Sequence, residues 1–280
     1  MGRLRRLDAE LVRRGLARSR QHAGELVSSG HVLLAGQPAM KAATQVDPAA
    51  AILLQGVDDD PGYASRGAHK LVGALDAFAP DGLDPAGRDC LDAGASTGGF
   101  TDVLLRRGAA RVVAVDVGYG QLVWRLQQDP RVHVLDRHNV RELAPGMLPY
   151  APELVVGDLS FISLRLVLPA LVEVAVPDAE LVLMVKPQFE VGRERLGSGG
   201  VVRDPAQRAD AVRGVAAAAR ERGLGVRGVV ASPLPGPSGN VEYFLWLRRA
   251  APALRDEDLE RAVAQGPDGG SDSGSEGDHG

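Results

Sequence analysis

Apolar and polar residues follow one another along the chain in the periodicities expected of alternating helices and strands. Between residues 63 and 250, short runs of aliphatic residues, typical of strands buried on both faces, alternate with stretches of helical spacing. The pattern predicts helices at about 66–78, 98–107, 119–128, 160–175 and 205–222. It predicts strands near 89–93, 111–116, 131–135, 153–158, 180–186, 225–231 and 241–248. This order favours an α/β fold with a doubly wound parallel sheet, whose last two strands form an antiparallel hairpin at one edge.

The first 60 residues have a different pattern, which predicts two short helices and a small β element. The first helix begins near Leu7 and stops at Gly15, and Ser19 caps a second helix that ends near Gly30. The polar, turn-prone residues 58–62 mark a domain boundary. We therefore expect a small domain over residues 1–60, an α/β domain over 63–250, and an acidic, largely disordered tail over 251–280.

Charge is distributed unevenly between these parts. Residues 1–45 carry eight Lys or Arg and three Asp or Glu, although the whole chain has a net charge of −4. A basic N-terminal domain indicates a polyanionic partner, and an ordinary solvated charged face is the alternative. The sequence has no apolar run long enough to span a membrane, no secretory signal, one cysteine and no zinc-ligand spacing. We expect a cytoplasmic protein without a membrane segment or a metal.

A glycine-rich turn follows the first predicted strand of the α/β domain. Residues 92–102 read Asp-Ala-Gly-Ala-Ser-Thr-Gly-Gly-Phe-Thr-Asp, so a strand ends in a turn from which a helix starts at once. Such a turn presents backbone N–H groups and a helix N-terminus to a ligand. The next strand ends in Asp116, where a carboxylate can bind a ribose diol. The pattern favours a nucleotide-type cofactor, and an ordinary tight turn is the alternative.

Polar residues also stand where an open α/β sheet places its active site. Asp158 and Lys186 close two apolar strands, and Glu242 lies at the start of the last strand. Burying an ammonium group costs several kcal/mol unless it is paired, so Lys186 is either part of a structural ion pair or a base. Lys70 lies on the predicted helix before the first strand, and its position alone predicts a solvated lysine.

Five motifs, in order, resemble those of the TlyA family. They are Tyr63-Ala-Ser-Arg-Gly-Ala-His-Lys70, Gly94-Ala-Ser-Thr-Gly-Gly-Phe-Thr-Asp102, Asp158-Leu-Ser-Phe-Ile-Ser-Leu164, Lys186-Pro-Gln-Phe-Glu190 and Gly239-Asn-Val-Glu242. The N-terminal domain resembles an S4-like α+β RNA-binding domain. The resemblance implies a Rossmann-like, FtsJ-like methyltransferase that uses S-adenosyl-L-methionine to methylate cytidine 2′-hydroxyls of 23S ribosomal RNA, and also of 16S RNA. The family also carries the name haemolysin.

The resemblance also implies roles for individual residues. The catalytic tetrad of the related ribose methyltransferases matches Lys70, Asp158, Lys186 and Glu242. The residues implied for the cofactor are Gly94, Ala95, Ser96, Thr97, Gly98, Gly99, Asp116, Val117, Asp136, Asn139 and Asp158. Those implied for RNA are Arg3, Arg5, Arg6, Arg18, Ser19, Arg20 and Lys41. Ribosomal subunits are the expected partner, with no obligate protein partner. A membrane-active haemolysin and a non-catalytic ribosomal RNA-binding factor are the alternatives.

Overall fold

The computed structural model describes residues 4–14, 16–17, 19–48, 50–54, 62–192, 194, 196–236 and 238–266. The chain divides into two compact units, Met1–Ser65 and Arg66–Gly280. The division between the units lies a few residues beyond the predicted boundary at residues 58–62. Most of that boundary, residues 58–61, lies outside the described residues.

The first unit packs two helices against short antiparallel strands. Its elements are β1 (Arg5–Arg6), α1 (Leu7–Arg13), α2 (Arg20–Ser28), β2 (Val32–Leu34), β3 (Gln37–Pro38), β4 (Gln45–Val46) and β5 (Ile52–Leu54). The strand order is β3-β2-β5, with β1 paired to β4. Leu7, Leu11 and Val32 are fully buried and anchor a small core. As predicted, Ser19 begins the second helix: its Oγ accepts a hydrogen bond from the His22 N–H at 3.1 Å.

The second unit is built on one seven-stranded sheet. Its strands are β6 (Asp89–Ala93), β7 (Arg111–Asp116), β8 (Val132–Asp136), β9 (Leu154–Gly157), β10 (Glu180–Val185), β11 (Leu224–Ala231) and β12 (Tyr243–Arg249). They lie in the order β11-β12-β10-β9-β6-β7-β8. Strands β6 to β10 are parallel, and β12 runs antiparallel to both neighbours. The predicted doubly wound α/β fold and its antiparallel edge hairpin are confirmed.

The order of the strands reverses between β6 and β9, which are neighbours in space but not in sequence. From β6 the chain moves outward to β7 and β8, then returns to add β9 and β10 on the other side. A crevice opens at such a switch point, outside the carboxyl ends of the strands. The fold therefore places Gly94, which follows β6, beside Asp158, which follows β9.

Helices connect the strands on both faces of the sheet. They are α3 (Ala68–Phe78), α4 (Gly99–Arg106), α5 (Trp124–Gln127), α6 (Leu164–Val174), α7 (Pro187–Glu190) and α8 (Pro205–Glu221). The predicted helix over 119–128 is wrong for its first half. Two aspartates explain the difference: Asp116 accepts the Gly118 N–H at 2.7 Å, and Asp136 accepts the Gly120 N–H at 2.8 Å. These bonds hold residues 117–123 as a loop.

The expectation of a largely disordered tail over 251–280 is wrong for its first part. Residues Asp256–Ala264 form helix α9. Leu259 and Ala262, three residues apart on one helix face, are buried in the main hydrophobic core. This short apolar stripe is hard to recognise in an acidic segment. Only its packing against the core shows that the segment is ordered. Residues 267–280 lie outside the described part of the chain. No helix of the described residues is long and apolar enough to cross a lipid bilayer.

Candidate active site

The polar residues predicted at strand ends meet at one edge of the sheet. Val185, the last residue of β10, is the register partner of Tyr243, the first residue of β12. Because these strands are antiparallel, the residue after one and the residue before the other lie at the same edge. Lys186 and Glu242 occupy those two positions. Asp158 follows β9, the parallel neighbour of β10 on its other side, so it joins them.

Lys186 is a buried lysine with two partners among the described residues. Its exposed fraction is 8%. The Nζ atom lies 2.6 Å from Asp158 Oδ1 as an ion pair and donates a 2.8 Å hydrogen bond to Ser160 Oγ. Asp158 is only partly buried, and Ser160 is exposed. The pair therefore lies at the mouth of the crevice, with the amine on the protein side.

Lys70 and Glu242 form a second ion pair. Lys70 lies in the first turn of α3, and its Nζ donates to Glu242 Oε2 at 2.6 Å. Glu242 is fully buried and Lys70 is 9% exposed, so the surface-lysine alternative for Lys70 is wrong. Glu242 Oε1 is buried without a hydrogen-bond partner in the described structure. A Cβ at Gly236 would come within 2.6 Å of that oxygen, so the glycine makes room for the carboxylate.

The glycine-rich turn lies against the same edge. Gly94 has a φ of +87°, and a Cβ there would lie 2.7 Å from the Asp158 carbonyl oxygen. Gly98 has a φ of +98°, and a Cβ there would meet Leu122 and Leu126. Both positions therefore require glycine for conformation and for space. Helix α4 starts directly after the turn, at Gly99, so the turn leads into a helix N-terminus as predicted.

Asp116 connects the turn to the following loop. Its Oδ2 accepts the Ser96 N–H at 2.8 Å, in addition to the Gly118 bond at Oδ1. Each carboxylate oxygen can accept a second hydrogen bond, so both keep capacity for a ligand hydroxyl. The neighbouring Val117 is 69% exposed. On the next strand, Asp136 holds Gly120, and Asn139 Oδ1 accepts the Arg141 N–H at 3.1 Å.

Asp92 is a feature of the site that the sequence reasoning missed. It lies within β6 just before the turn and is fully buried. Its Oδ2 accepts the Thr101 hydroxyl at 2.7 Å, whereas Oδ1 has no hydrogen-bond partner among the described residues. Burial raises the Asp92 pKa to about 7. The available signal was a carboxylate between two apolar residues, Leu91 and Ala93, of a predicted strand.

Glu190, at the end of α7, is a second residue whose role only the structure reveals. Its carboxylate accepts the Ser163 hydroxyl at 2.6 Å, the Leu164 N–H at 2.7 Å and Arg165 Nε at 3.2 Å. Burial raises its pKa. Glu190 thus ties the segment that follows Lys186 to the start of α6, and so to the loop that carries Asp158.

In the first unit, arginines surround two buried carboxylates. Arg6 and Arg20 contact Asp8 at 2.8 and 3.1 Å, and Glu10 is paired with Arg13 and Arg14. The arginines keep between 22% and 59% of their side chains exposed. They lower the pKa of both Asp8 and Glu10 to about 2. The sequence reasoning did not single out Arg13 or Arg14.

The remaining residues predicted to bind RNA differ in how much the structure describes of them. Arg5 and Lys41 are exposed on the first unit. Ser19 is also exposed, but its hydroxyl oxygen already accepts the helix-capping bond. Arg3 and Arg18 lie outside the described residues. The described cationic side chains therefore support a basic surface on the first unit without defining its full extent.

Comparison with protein families matches both units. Residues 63–249 match the FtsJ-like methyltransferase model, and residues 5–52 match the S4 domain model. A Mycobacterium tuberculosis protein, the 16S/23S rRNA (cytidine-2′-O)-methyltransferase TlyA, is 60% identical over 95% of this chain and 100% of its own length. This chain belongs to the TlyA family. The predicted resemblance is confirmed.

Other members of the TlyA family carry different names. A Campylobacter jejuni relative, the 23S rRNA (cytidine-2′-O)-methyltransferase TlyA, is 31% identical over 81% of this chain and 93% of its own. Hemolysin A of Brachyspira hyodysenteriae is 33% identical over 85% of this chain and 98% of its own. A solved Streptococcus thermophilus structure, described as a hemolysin, has 37% identity and a TM-score of 0.74, and covers 95% of this chain and 96% of that one. The hemolysin name therefore accompanies this same fold.

Proposed function

We propose that this TlyA-family protein transfers a methyl group from S-adenosyl-L-methionine to the 2′-hydroxyl of a cytidine in ribosomal RNA. The observation that carries the proposal is the pair of buried lysine–carboxylate contacts, Lys186–Asp158 and Lys70–Glu242, at the edge that holds the glycine-rich turn. The names of the M. tuberculosis and C. jejuni relatives support the substrate class. The proposed substrates are the RNA of the large ribosomal subunit and that of the small subunit. The proposed location is the cytoplasm.

The residues around the turn fit this cofactor. Gly94 and Gly98 give the turn its left-handed backbone and its close packing beside Asp158, and Ala95, Ser96, Thr97 and Gly99 complete the turn. The orphaned Asp92 Oδ1 beneath the turn is an acceptor that suits a cationic ligand group. Asp116 keeps acceptor capacity for ribose hydroxyls, and exposed Val117 offers an apolar contact for a base. Asp136 and Asn139 are the proposed neighbours of the adenine.

The cofactor, when bound, supplies a methyl group on a positively charged sulfur. A ribose hydroxyl is a poor nucleophile, so a base must accept its proton as the oxygen attacks. We assign this step to the neutral form of Lys186. Its Nζ lies at the mouth of the crevice, beside Asp158 at the switch point. The ammonium that results is stabilised by the Asp158 carboxylate.

The second ion pair, Lys70–Glu242, holds a lysine in a fixed position beside the reacting edge. Lys70 is a fixed cation near the reacting edge, balanced by Glu242 at 2.6 Å. Much of the rate should come from holding the hydroxyl in line with the methyl group. Each lysine has its own carboxylate partner, which holds it at this edge of the sheet.

The basic surface of the first unit is the proposed RNA contact. The exposed cationic groups that can bind phosphates are those of Arg5, Arg6, Arg20 and Lys41. The sequence predicts that Arg3 and Arg18 contribute as well. Phosphate contacts give affinity that falls with salt and carry little sequence information. Selection of one cytidine then depends on RNA shape and on a base moved out of its stack.

Transfer of a labelled methyl group to ribosomal subunits tests the proposal. Subunits from a strain that lacks this gene, incubated with the protein and labelled cofactor, should gain 2′-O-methylcytidine, located by nuclease-resistant dinucleotides. Lys186→Ala should lower the rate by about a thousandfold or more, as removal of a general base does in the upper range. Cofactor affinity, measured by calorimetry, should stay within a few-fold.

The control is Arg213→Gln, because Arg213 is exposed on α8 and pairs with Asp256 at 3.0 Å, away from the sheet edge. It should methylate at the unchanged rate. Absence of label in both subunits with the unaltered protein would refute the proposed function. Methylation that persists in Lys186→Ala would refute only the choice of base.

A further inference from the structure

Ser160 lies next to the Lys186 amine and has no role in the tetrad. It is two residues beyond Asp158, in the loop between β9 and α6. Its hydroxyl oxygen accepts a 2.8 Å hydrogen bond from Lys186 Nζ. Ser160 is exposed, whereas Lys186 is 8% exposed. The contact therefore joins a buried amine to the open side of the crevice.

The two partners of Lys186 differ in the kind of contact they make. Asp158 Oδ1 lies 2.6 Å from Nζ, but the contact does not have hydrogen-bond geometry, so the attraction is mainly between charges. Coulomb attraction is weakly directional. The bond to Ser160 meets both the distance and the angle of a hydrogen bond. Ser160 therefore fixes the direction of one N–H group, which Asp158 does not.

We propose that Ser160 is a positioning residue that aims the lone pair of the Lys186 amine at the substrate hydroxyl. The inference rests on the proposed function. A neutral amine has tetrahedral geometry, with two N–H groups and one lone pair around nitrogen. Ser160 holds one N–H, and the negative charge of Asp158 attracts the second, so the lone pair is directed away from both residues.

The proton balance of the cycle is consistent with this role. The ribose hydroxyl gives its proton to Lys186 as its oxygen forms the bond to the methyl carbon and the bond from that carbon to sulfur breaks. The amine becomes an ammonium, which still donates to Ser160. A hydroxyl both accepts and donates. Ser160 can therefore take a proton from Lys186 and release its own to solvent water, which restores the neutral amine.

Ser160→Ala tests the inference without a cavity, because the side chain is exposed. We expect kcat to fall about threefold to tenfold, the usual value of one hydrogen bond. The KM values for RNA and cofactor should stay within about twofold, since Ser160 acts through Lys186. Ser160→Thr keeps the hydroxyl and should restore kcat. Ser29→Ala, at an exposed serine directly after α2, is the matched control.

The pH–rate profile separates positioning from a structural role. Loss of an acceptor disfavours the ammonium, so Ser160→Ala should reach half of its own maximal kcat at a lower pH than the unaltered protein. Asp158 remains the charged partner of the amine, and Glu242 remains paired with Lys70, so neither contributes to the shift. A structural defect would lower the whole profile without moving it.

Three results with the Ser160 variants would overturn the inference. They are an unchanged kcat in Ser160→Ala, a loss confined to the KM for RNA, and a failure of Ser160→Thr to recover. If Lys186→Ala still turns over, Lys186 is not the base and the inference falls, while methyl transfer itself stands. If the unaltered protein transfers no methyl group, the proposed function fails instead.

Discussion

Asp8 and Asp92 are buried aspartates in different units, and their surroundings shift the pKa in opposite directions. Asp8, in the N-terminal unit, receives hydrogen bonds from Arg6 and Arg20, and its pKa is lowered to about 2. Asp92, in the sheet, receives one hydroxyl bond from Thr101, and burial raises its pKa to about 7. At Asp8 the two arginines outweigh the effect of burial on the pKa, whereas at Asp92 a single hydroxyl does not.

The same contrast separates the cations of the two units. The arginines of the first unit share carboxylates and keep between 22% and 59% of their side-chain surface exposed. Lys70 and Lys186 are each paired with one carboxylate, and little of either side chain is exposed. Exposed, shared cations suit salt-dependent binding of a polyanion, whereas desolvated single pairs suit control of a proton.

Breaking the buried pair at Glu242 should give the largest effect. Glu242→Ala leaves Lys70 buried without its partner, which costs about 3–5 kcal/mol of unfolding free energy. Urea unfolding measures this cost, and methyl transfer should fall below detection. Glu257→Ala is the control: Glu257 pairs with Arg255, both exposed, so its loss should cost less than about 1 kcal/mol. If both variants lost the same unfolding free energy, the contrast between the buried and the exposed ion pair would be wrong.

The two aspartates should respond oppositely to pH when each is replaced by asparagine. The raised pKa of Asp92 means that the folded state binds its proton more tightly than the unfolded state. The unaltered protein therefore loses stability as pH rises between about 4 and 7, and Asp92→Asn escapes that loss. Asp92→Asn should gain on the order of 4 kcal/mol of unfolding free energy at pH 8 and little at pH 4.

Asp8→Asn should have the reverse sign. The lowered pKa of Asp8 contributes stability above the unfolded value of 3.8, and this contribution is lost as pH falls toward 2. Asp8→Asn should therefore be less stable than the unaltered protein at pH 7, with the difference closing in acid. Thermal unfolding across pH 3–8 measures both variants. Parallel curves for the two substitutions would show that the environments do not differ as described.

Loss of the exposed cations Arg5 and Lys41 should have the smallest effect on the fold and a clear effect on RNA. Arg5→Gln combined with Lys41→Gln should flatten the dependence of RNA affinity on salt. The slope of log affinity against log salt should fall by roughly 1.4 to 1.8, for two phosphate contacts. Arg213→Gln, on the second unit, should leave the slope unchanged. A double variant with the original slope would exclude this surface as the RNA contact.

Sequence pattern predicted most of the fold because the strands are buried on both faces. Strand β7 is predicted at its observed bounds, 111–116, because a short uninterrupted aliphatic run is typical of a strand buried on both faces. The pattern failed where side chains compete for backbone amides, as Asp116 and Asp136 do in the loop before α5. It failed again at α9, where two apolar residues stand in an acidic segment.

By itself, the sequence determined the glycine turn, the polar residues at the strand ends and the family to which the chain belongs, because these are local patterns with fixed spacing. Only the tertiary structure decided how the charges pair. Lys70 and Glu242 are 172 residues apart, and no local rule joins them. Nor does spacing show that Ser160 meets Lys186 or that Asp92 loses its water. Contacts and burial of that kind exist only after the strands have been ordered side by side.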